Sequence, residues 1–308
     1  MNWIIVPFIN NWNTTKQAVE SMLAQSIPTR VLLIDNGAPA MDYFRAKEYV
    51  ATVKEHRVLL LAHHPPLPSL GATWNMALNM VWDTGDTFAM VCNNDVLLRP
   101  DTYEHLINAM DGCSVEDGFN EPFFISAVGR REDTWVEDKA KPITWESLVD
   151  QPKGGPDFSC YVITKQMHDL YNFDENFVPA YCEDLDMHRR IMLGGHGASI
   201  FSVNLPYLHY ASGSLKSMRK DKKEELERAI EVGSRTYYKA KWGGPVNEEK
   251  YIYPFNNKPT KPGVCTKTSD LFNHGCWRFL GDHEQMDPFL PGADDSSLDE
   301  GHGYPADE

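Results

Sequence analysis

Phe88-Ala89-Met90-Val91-Cys92-Asn93-Asn94-Asp95, FAMVCNND, is the stretch whose reading decides the fold. Five apolar residues in a row are the pattern of a strand buried on both faces. The run stops at Asn93-Asn94-Asp95 and resumes as Val96-Leu97-Leu98-Arg99-Pro100. A strand that ends on a carboxylate puts an oxygen ligand at the edge of a sheet, and open α/β sheets bind their ligands beyond the carboxyl ends of their strands. A hard divalent cation that bridges phosphates needs one or two such carboxylates and leaves its other positions to water and substrate. A strand followed by Asn and Asp is equally how a turn begins, so the meaning depends on the neighbouring segments.

Upstream, Trp3–Phe8 is a short apolar run with β-branched members, and Asn13-Thr14-Thr15 offers caps for a helix with Ala18, Met22 and Leu23 on its apolar face. Arg30–Ile34 predicts a second strand, closed by the turn signal Asp35-Asn36-Gly37. Met41–Lys54 has helical spacing, Arg57–Ala62 strand spacing, and the proline-rich His63–Ser69 reads as a loop. Gly71–Trp82 returns to helix, with Trp74, Leu78 and Val81 on one face, and leads into Thr87–Cys92. Strands alternating with helices at this spacing imply βα units and a mostly parallel sheet flanked by helices.

Downstream, Pro100–Met110 predicts a helix. Asp111–Pro156 is polar and glycine-rich and reads as loops around one strand, Phe123–Val128. Asp157–Thr164 and Ala198–Val203 are further strands. Glu183–Leu193 is a helix with acidic residues in its first turn, where the helix dipole favours negative charge. Lys216–Lys241 reads as one long charged helix with pairs such as Glu224–Arg228, and YYKAKWGG after it as a helix packed on the core and stopped by glycine. The expected division is a catalytic domain over 1–215, a helical extension over 216–257 and an irregular acidic tail over 258–308.

The chain has 308 residues, 42% of them apolar, and a formal net charge of -15 from 44 acidic and 29 basic residues. That balance argues against a broad nucleic-acid surface, which depends on Lys and Arg contacts to phosphate. No apolar run is long enough for a membrane span. MNWIIVPFINN lacks a basic start and reads as a first strand, not a signal peptide. The six cysteines are scattered without a CxxC, which predicts reduced thiols and a cytoplasmic setting. Cys265, His274, Cys276 and His283 have a spacing that matches no usual zinc pattern, so isolated thiols and histidines are the better reading.

The order of these segments resembles the GT-A fold glycosyltransferases of the family 2 type, and within them the rhamnosyl- and galactofuranosyl-transferase-like branch. The resemblance covers about two thirds of the chain. IIVPFINNWN resembles that family's first strand and turn, LLIDNGA its second strand end, and LGATWNMALNMVWDTGDTFAMVCNND the unit that delivers a D-x-D-like metal motif. FDENFVPAYCEDLDMHRRIMLGG followed by LPYLHYASGS resembles the catalytic helix and a distal histidine loop, and is the most specific piece. Two positions depart from the pattern. Asn93 stands where Asp is frequent and is the weaker ligand, and Ala38 stands where Ser is usual.

The resemblance implies transfer of a sugar from a nucleoside diphosphate to an acceptor hydroxyl. Such a reaction needs positioning, neutralisation of the leaving diphosphate and a base. Asp35 is the candidate for the nucleotide base, because a carboxylate accepts the imide N–H of uracil or thymine; this favours a UDP- or dTDP-sugar. An Asx-turn is the alternative for the same residue. Pro7, Asn10, Asn36, Asn93 and Asn94 are candidates for the nucleotide-sugar side, with Gly71 and Asn75 on the helix that follows. Trp74 is expected in the core. Asp95 and His209 are the candidate ligands for Mn²⁺ or Mg²⁺, the histidine tilting the choice toward manganese. Asp184 is the candidate general base, Glu183 its catalytic neighbour, and Asp186 and Arg189 candidates to orient it or hold the acceptor.

The resulting expectation is an inverting transferase. A non-catalytic nucleotide-sugar-binding protein of the same fold is the main rival, with Asn93 in its favour. A sugar nucleotidyltransferase is the lesser one, since PFINNWN lacks the glycine-rich loop it needs. The acceptor stays open among glycan, lipid-linked sugar, protein and modified nucleic acid.

Overall fold

The apolar runs become an eight-stranded sheet in the order β3-β2-β1-β4-β7-β6-β8-β5. The computed structural model describes residues 1–113, 123–149, 156–210 and 218–256. The strands are β1 (Asn2–Phe8), β2 (Thr29–Asp35), β3 (Val58–Ala62), β4 (Phe88–Cys92), β5 (Val96–Leu97), β6 (Phe124–Arg130), β7 (Cys160–Thr164) and β8 (Ile200–His209). Parallel pairings join β3, β2, β1 and β4 in one block and β6 to β8 in another. The inversion between them is β7, antiparallel to both β4 and β6.

Successive strand residues point to opposite faces, and the two faces carry two cores. Ile4, Val6 and Phe8 face a core completed by helices α1 (Trp12–Leu23), α2 (Ala40–Thr52) and α4 (Thr102–Cys113). Trp3 and Ile5 face the other, completed by α3 (Leu70–Trp82), α7 (Lys165–Leu170), α8 (Glu183–Leu193) and the C-terminal α10 (Thr236–Trp242).

Several local expectations need correction. Helix α1 begins at Trp12, one residue before the predicted caps; its N-cap is Asn11 in the left-handed region, and no side chain caps it. The supposed loop region carries two short helices, α5 (Glu132–Asp138) and α6 (Trp145–Val149). The last predicted strand runs on through Val203 to His209. The long charged helix is interrupted: α9 (Lys220–Ile230) passes into a π-helical turn over Glu231–Arg235 before α10. Its ion pairs include Lys220–Glu224, Lys222–Glu225 and Lys223–Glu227, and the expected Glu224–Arg228 is not among them. At the π turn, Gly233 lies so close to the Val178 carbonyl that a Cβ would sit 2.4 Å from its oxygen. Gly243, at φ 72°, ends α10 in the left-handed conformation that L side chains avoid. The cysteine and histidine group at 265–283 and the acidic tail lie outside the described residues.

Among the described residues no helix is long and apolar enough to cross a membrane. Cys92, Cys160 and Cys182 are buried free thiols.

Candidate active site

The block β3-β2-β1-β4 ends its strands along one edge, and β7, running the other way, begins there. Asn93 N–H donates to the Ser159 carbonyl at 2.9 Å and ties those two ends together. β8 reaches the same edge through its pairing with β5, where Val96 lies opposite His209. A cavity of about 890 Å³ opens at this edge. Its wall includes Pro7, Asn36, Asn93, Asn94, Asp95, Glu183, Asp184 and His209. Eight of the residues proposed from the sequence are therefore brought to one place.

Asp95 and His209 are far apart in the chain, yet Asp95 Oδ1 lies 3.4 Å from His209 Nε2. Two ligands on adjacent positions of an octahedral ion stand about 3 Å apart, given bond lengths of about 2.1 Å. The pair therefore fits one divalent cation. Among the described residues no group of three or more His, Cys, Asp or Glu side chains is arranged for a metal, so such an ion would draw its remaining ligands from phosphate, water or side-chain amides. Asn94 is held by its own partners: its Nδ2 donates to Thr15 Oγ1 at 2.9 Å, which links the strand end to the first turn of α1.

Helix α8 delivers the acidic pair. Glu183 is 3% exposed, and its Oε2 has no hydrogen-bond partner among the described residues. Burial, reinforced by the Asp184 charge, raises the Glu183 carboxyl well above the ordinary range. Asp184 is less enclosed; its Oδ1 accepts from the Leu185 N–H at 2.8 Å. Burial also raises Asp184, and the charges of Asp157 and Asp186 add to the effect. A carboxyl group tuned upward toward neutrality is matched to taking a proton.

The other six proposed residues do not line the cavity, and each has a visible reason. Asp35 closes an Asx-turn, the alternative reading: Oδ1 accepts from Gly37 N–H at 3.0 Å and Ala38 N–H at 2.6 Å, and Oδ2 lies 3.1 Å from His64 Nε2. Its neighbour Asn36 takes the wall position instead. Asn10 is buried behind the strand end, where its carbonyl faces Asn94. Gly71 packs against the Phe173–Asp174 backbone, where a Cβ would sit 3.1 Å from the Asp174 carbonyl oxygen. Asn75 belongs to a buried network with His168, the backbone of Phe173 and Glu175. Asp186 points the opposite way along α8, into a buried cluster with Arg190, Lys241 and Trp242. Arg189 donates to the Tyr251 carbonyl and lies over the Trp242 ring.

Other wall residues were not foreseen. Asp157 accepts from Tyr207 Oη at 2.6 Å and from Gly129 N–H at 3.2 Å. Its signal was its place at the first residue of a predicted strand, which matters once that strand is known to run antiparallel. Trp74, expected in the core, is 2% exposed yet lines the cavity floor. Leu226 and Ile230, on a helix notable in sequence for its charge, supply apolar wall.

Residues 3–131 match the family model for Glycosyl transferase family 2. No curated protein matches the sequence. Among solved structures, GalNAc-T7 with UDP, GalNAc and Mn²⁺ superposes with a TM-score of 0.51 at 10% identity, over 78% of this chain and 50% of that one. A mannosyltransferase from Pyrobaculum calidifontis in complex with GDP-Man and Mn²⁺ gives 0.48 at 13% identity, over 70% and 58%. Glucosyl-3-phosphoglycerate synthase from Mycobacterium tuberculosis, with Mn²⁺, UDP and phosphoglyceric acid, gives 0.47 at 13% identity, over 75% and 76%. The chain thus spans half of the GalNAc-T7 structure and little more than half of the mannosyltransferase. The fold is the GT-A fold. The segment similar to the glycosyl transferase family 2 model runs from β1 to the end of β6 and stops before α8.

Proposed function

We propose that this protein is an inverting, metal-dependent glycosyltransferase that moves a sugar from a nucleoside-diphosphate sugar to an acceptor hydroxyl. The observation that carries the proposal is the convergence of Asp95, His209 and Asp184 on one cavity at the carboxyl edge of the sheet. The wall contains four carboxylates, Asp95, Asp157, Glu183 and Asp184, and no lysine or arginine among the described residues. A diphosphate entering such a wall needs a cation to offset the like charge. Asp95 and His209 would hold Mn²⁺ or Mg²⁺, which supplies charge neutralisation to the leaving nucleoside diphosphate. The Mn²⁺ in the GalNAc-T7 structure is consistent with this.

Pro7 and Asn36 border the nucleotide side of the cavity. Asp184 accepts the proton of the acceptor hydroxyl as that oxygen attacks the anomeric carbon and the bond to the diphosphate oxygen breaks. One displacement inverts the anomeric configuration and needs no enzyme nucleophile. Burial and the Asp184 charge raise Glu183, which disfavours a second negative charge beside the base. A positioned base of this kind is worth roughly 10²–10⁴-fold in rate. The buried free thiols fit a reducing, cytoplasmic setting.

The test is a panel of nucleotide sugars with Mn²⁺, reading acceptor-free release of nucleoside diphosphate, with Asp95→Ala alongside. Release from one donor, falling by about 10²-fold or more in the variant, is the expected result. Retention of anomeric configuration in a transfer product would contradict the single displacement. Nucleotide binding without release from any donor would favour the non-catalytic reading, which Asn93 supports.

A further inference from the structure

We propose that the acceptor is an uncharged molecule that carries its reacting hydroxyl on an apolar body, an alkyl or aryl glycoside being the simplest example. This rests on the transferase reading and adds the acceptor's chemistry to it. The wall next to Asp184 is apolar and is assembled from two elements distant in sequence. Pro179, Ala180 and Tyr181 lead directly into Glu183 and Asp184, and Met218, Leu226 and Ile230 complete the same wall. Most of the α9 surface is charged and exposed. Its two large apolar residues, Leu226 and Ile230, both line the cavity.

The wall is held in place. Ser234 Oγ donates to the Ala180 carbonyl at 2.7 Å and the Val178 carbonyl at 3.1 Å. The missing side chain of Gly233 permits that approach. Tyr181 sits at φ 74°, followed by Cys182 at φ 73°, two consecutive non-glycine residues in the left-handed region. Each costs about 1 kcal/mol or more. The chain bears this cost and keeps the Tyr181 ring 44% exposed on the cavity wall.

Charge selects in the same direction. Asp157, Glu183 and Asp184 stand at this end. Asp157 lies close enough to Asp184 for its charge to raise that carboxyl, so the acidic groups stand together. A phosphate or carboxylate on the acceptor would meet like charge here, while an alkyl chain or the apolar face of a ring meets Tyr181, Leu226 and Ile230.

The test is saturation-transfer NMR on the full chain with Mn²⁺ and UDP present, using hexyl β-D-glucopyranoside below its micelle concentration and glucose 6-phosphate in parallel. Hexyl glucoside should bind, and glucose 6-phosphate should not displace it. Leu226→Glu, a change on a half-exposed helical face, should weaken hexyl glucoside about tenfold or more, and Tyr181→Ala should weaken it independently. Equal binding in wild type and both variants, tighter binding of glucose 6-phosphate, or no binding of hexyl glucoside would each overturn the inference. Donor turnover is scored separately. If donor is hydrolysed while hexyl glucoside fails, the acceptor inference alone falls; if no donor is turned over, the transferase reading falls.

Discussion

Helix α8 sends carboxylates to two places that are close in space and opposite in character. On its inner face Asp186 receives Arg190 Nε at 2.8 Å, Trp242 Nε1 at 2.9 Å and Lys241 Nζ at 2.5 Å, and Lys241 also meets Asp174 at 2.9 Å. Asp174 is fully enclosed, and burial alone would raise it, but Lys241 holds it below its ordinary value. On the cavity face Glu183 and Asp184 have no such cation among the described residues, and both are raised. Buried charges that are paired hold structure together. Buried carboxyls kept beside a cavity without a counter-charge are costly to the fold and are where chemistry is expected.

Breaking the paired cluster should have the largest effect. Lys241→Met leaves Asp174 and Asp186 without their shared cation and should destabilise the protein by about 3–5 kcal/mol in urea unfolding. Adding Asp174→Asn should recover part of that loss; no recovery would mean the ion pair is not the source of the stability. Next, Asp184→Asn should reduce transfer by about 10²–10⁴-fold with an unchanged or raised Tm. A drop in Tm matching that of Lys241→Met would erase the distinction between the two faces. Third, Glu183→Gln should stabilise the fold by about 1 kcal/mol at neutral pH. The sign follows from linkage: a carboxyl raised in the folded state contributes stability while protonated and loses it as pH rises through the folded value. The gain should therefore shrink on acidification, which urea titrations at two pH values would read. The smallest effect is a shift. The acid limb of the pH–rate profile should lie above the ordinary carboxylate range, and Asp157→Asn should move it down, because the Asp157 charge contributes to raising Asp184.

The same contrast explains what could be read from the sequence. Apolar runs ending in polar residues located the strand end at Asp95, and the resemblance of α8 and its downstream histidine pointed to Asp184 and His209; all three line one cavity. Asp186 turns away from the cavity, a direction the sequence does not show because a carboxylate two residues along a helix looks the same whichever way it faces. Its partners Lys241 and Trp242 come from a segment that periodicity could only describe as packed. Asp35 was ambiguous because a turn-closing carboxylate and a base-binding one share one local pattern, and only the Gly37 and Ala38 N–H groups decide between them. Asp157 was hidden by strand direction, which apolar pattern does not encode. Leu226 and Ile230 were hidden by the charge around them.

The two-residue strand β5 finds its partner only when β8 arrives. A ribosome delivers Asp95 long before His209, and Lys241 later still. The nascent chain can thus complete the whole segment matched by the family model and still hold only Asp95 of the Asp95–His209 pair, beside an α8 that has not been made. The pair is completed late, when the returning strand closes the edge.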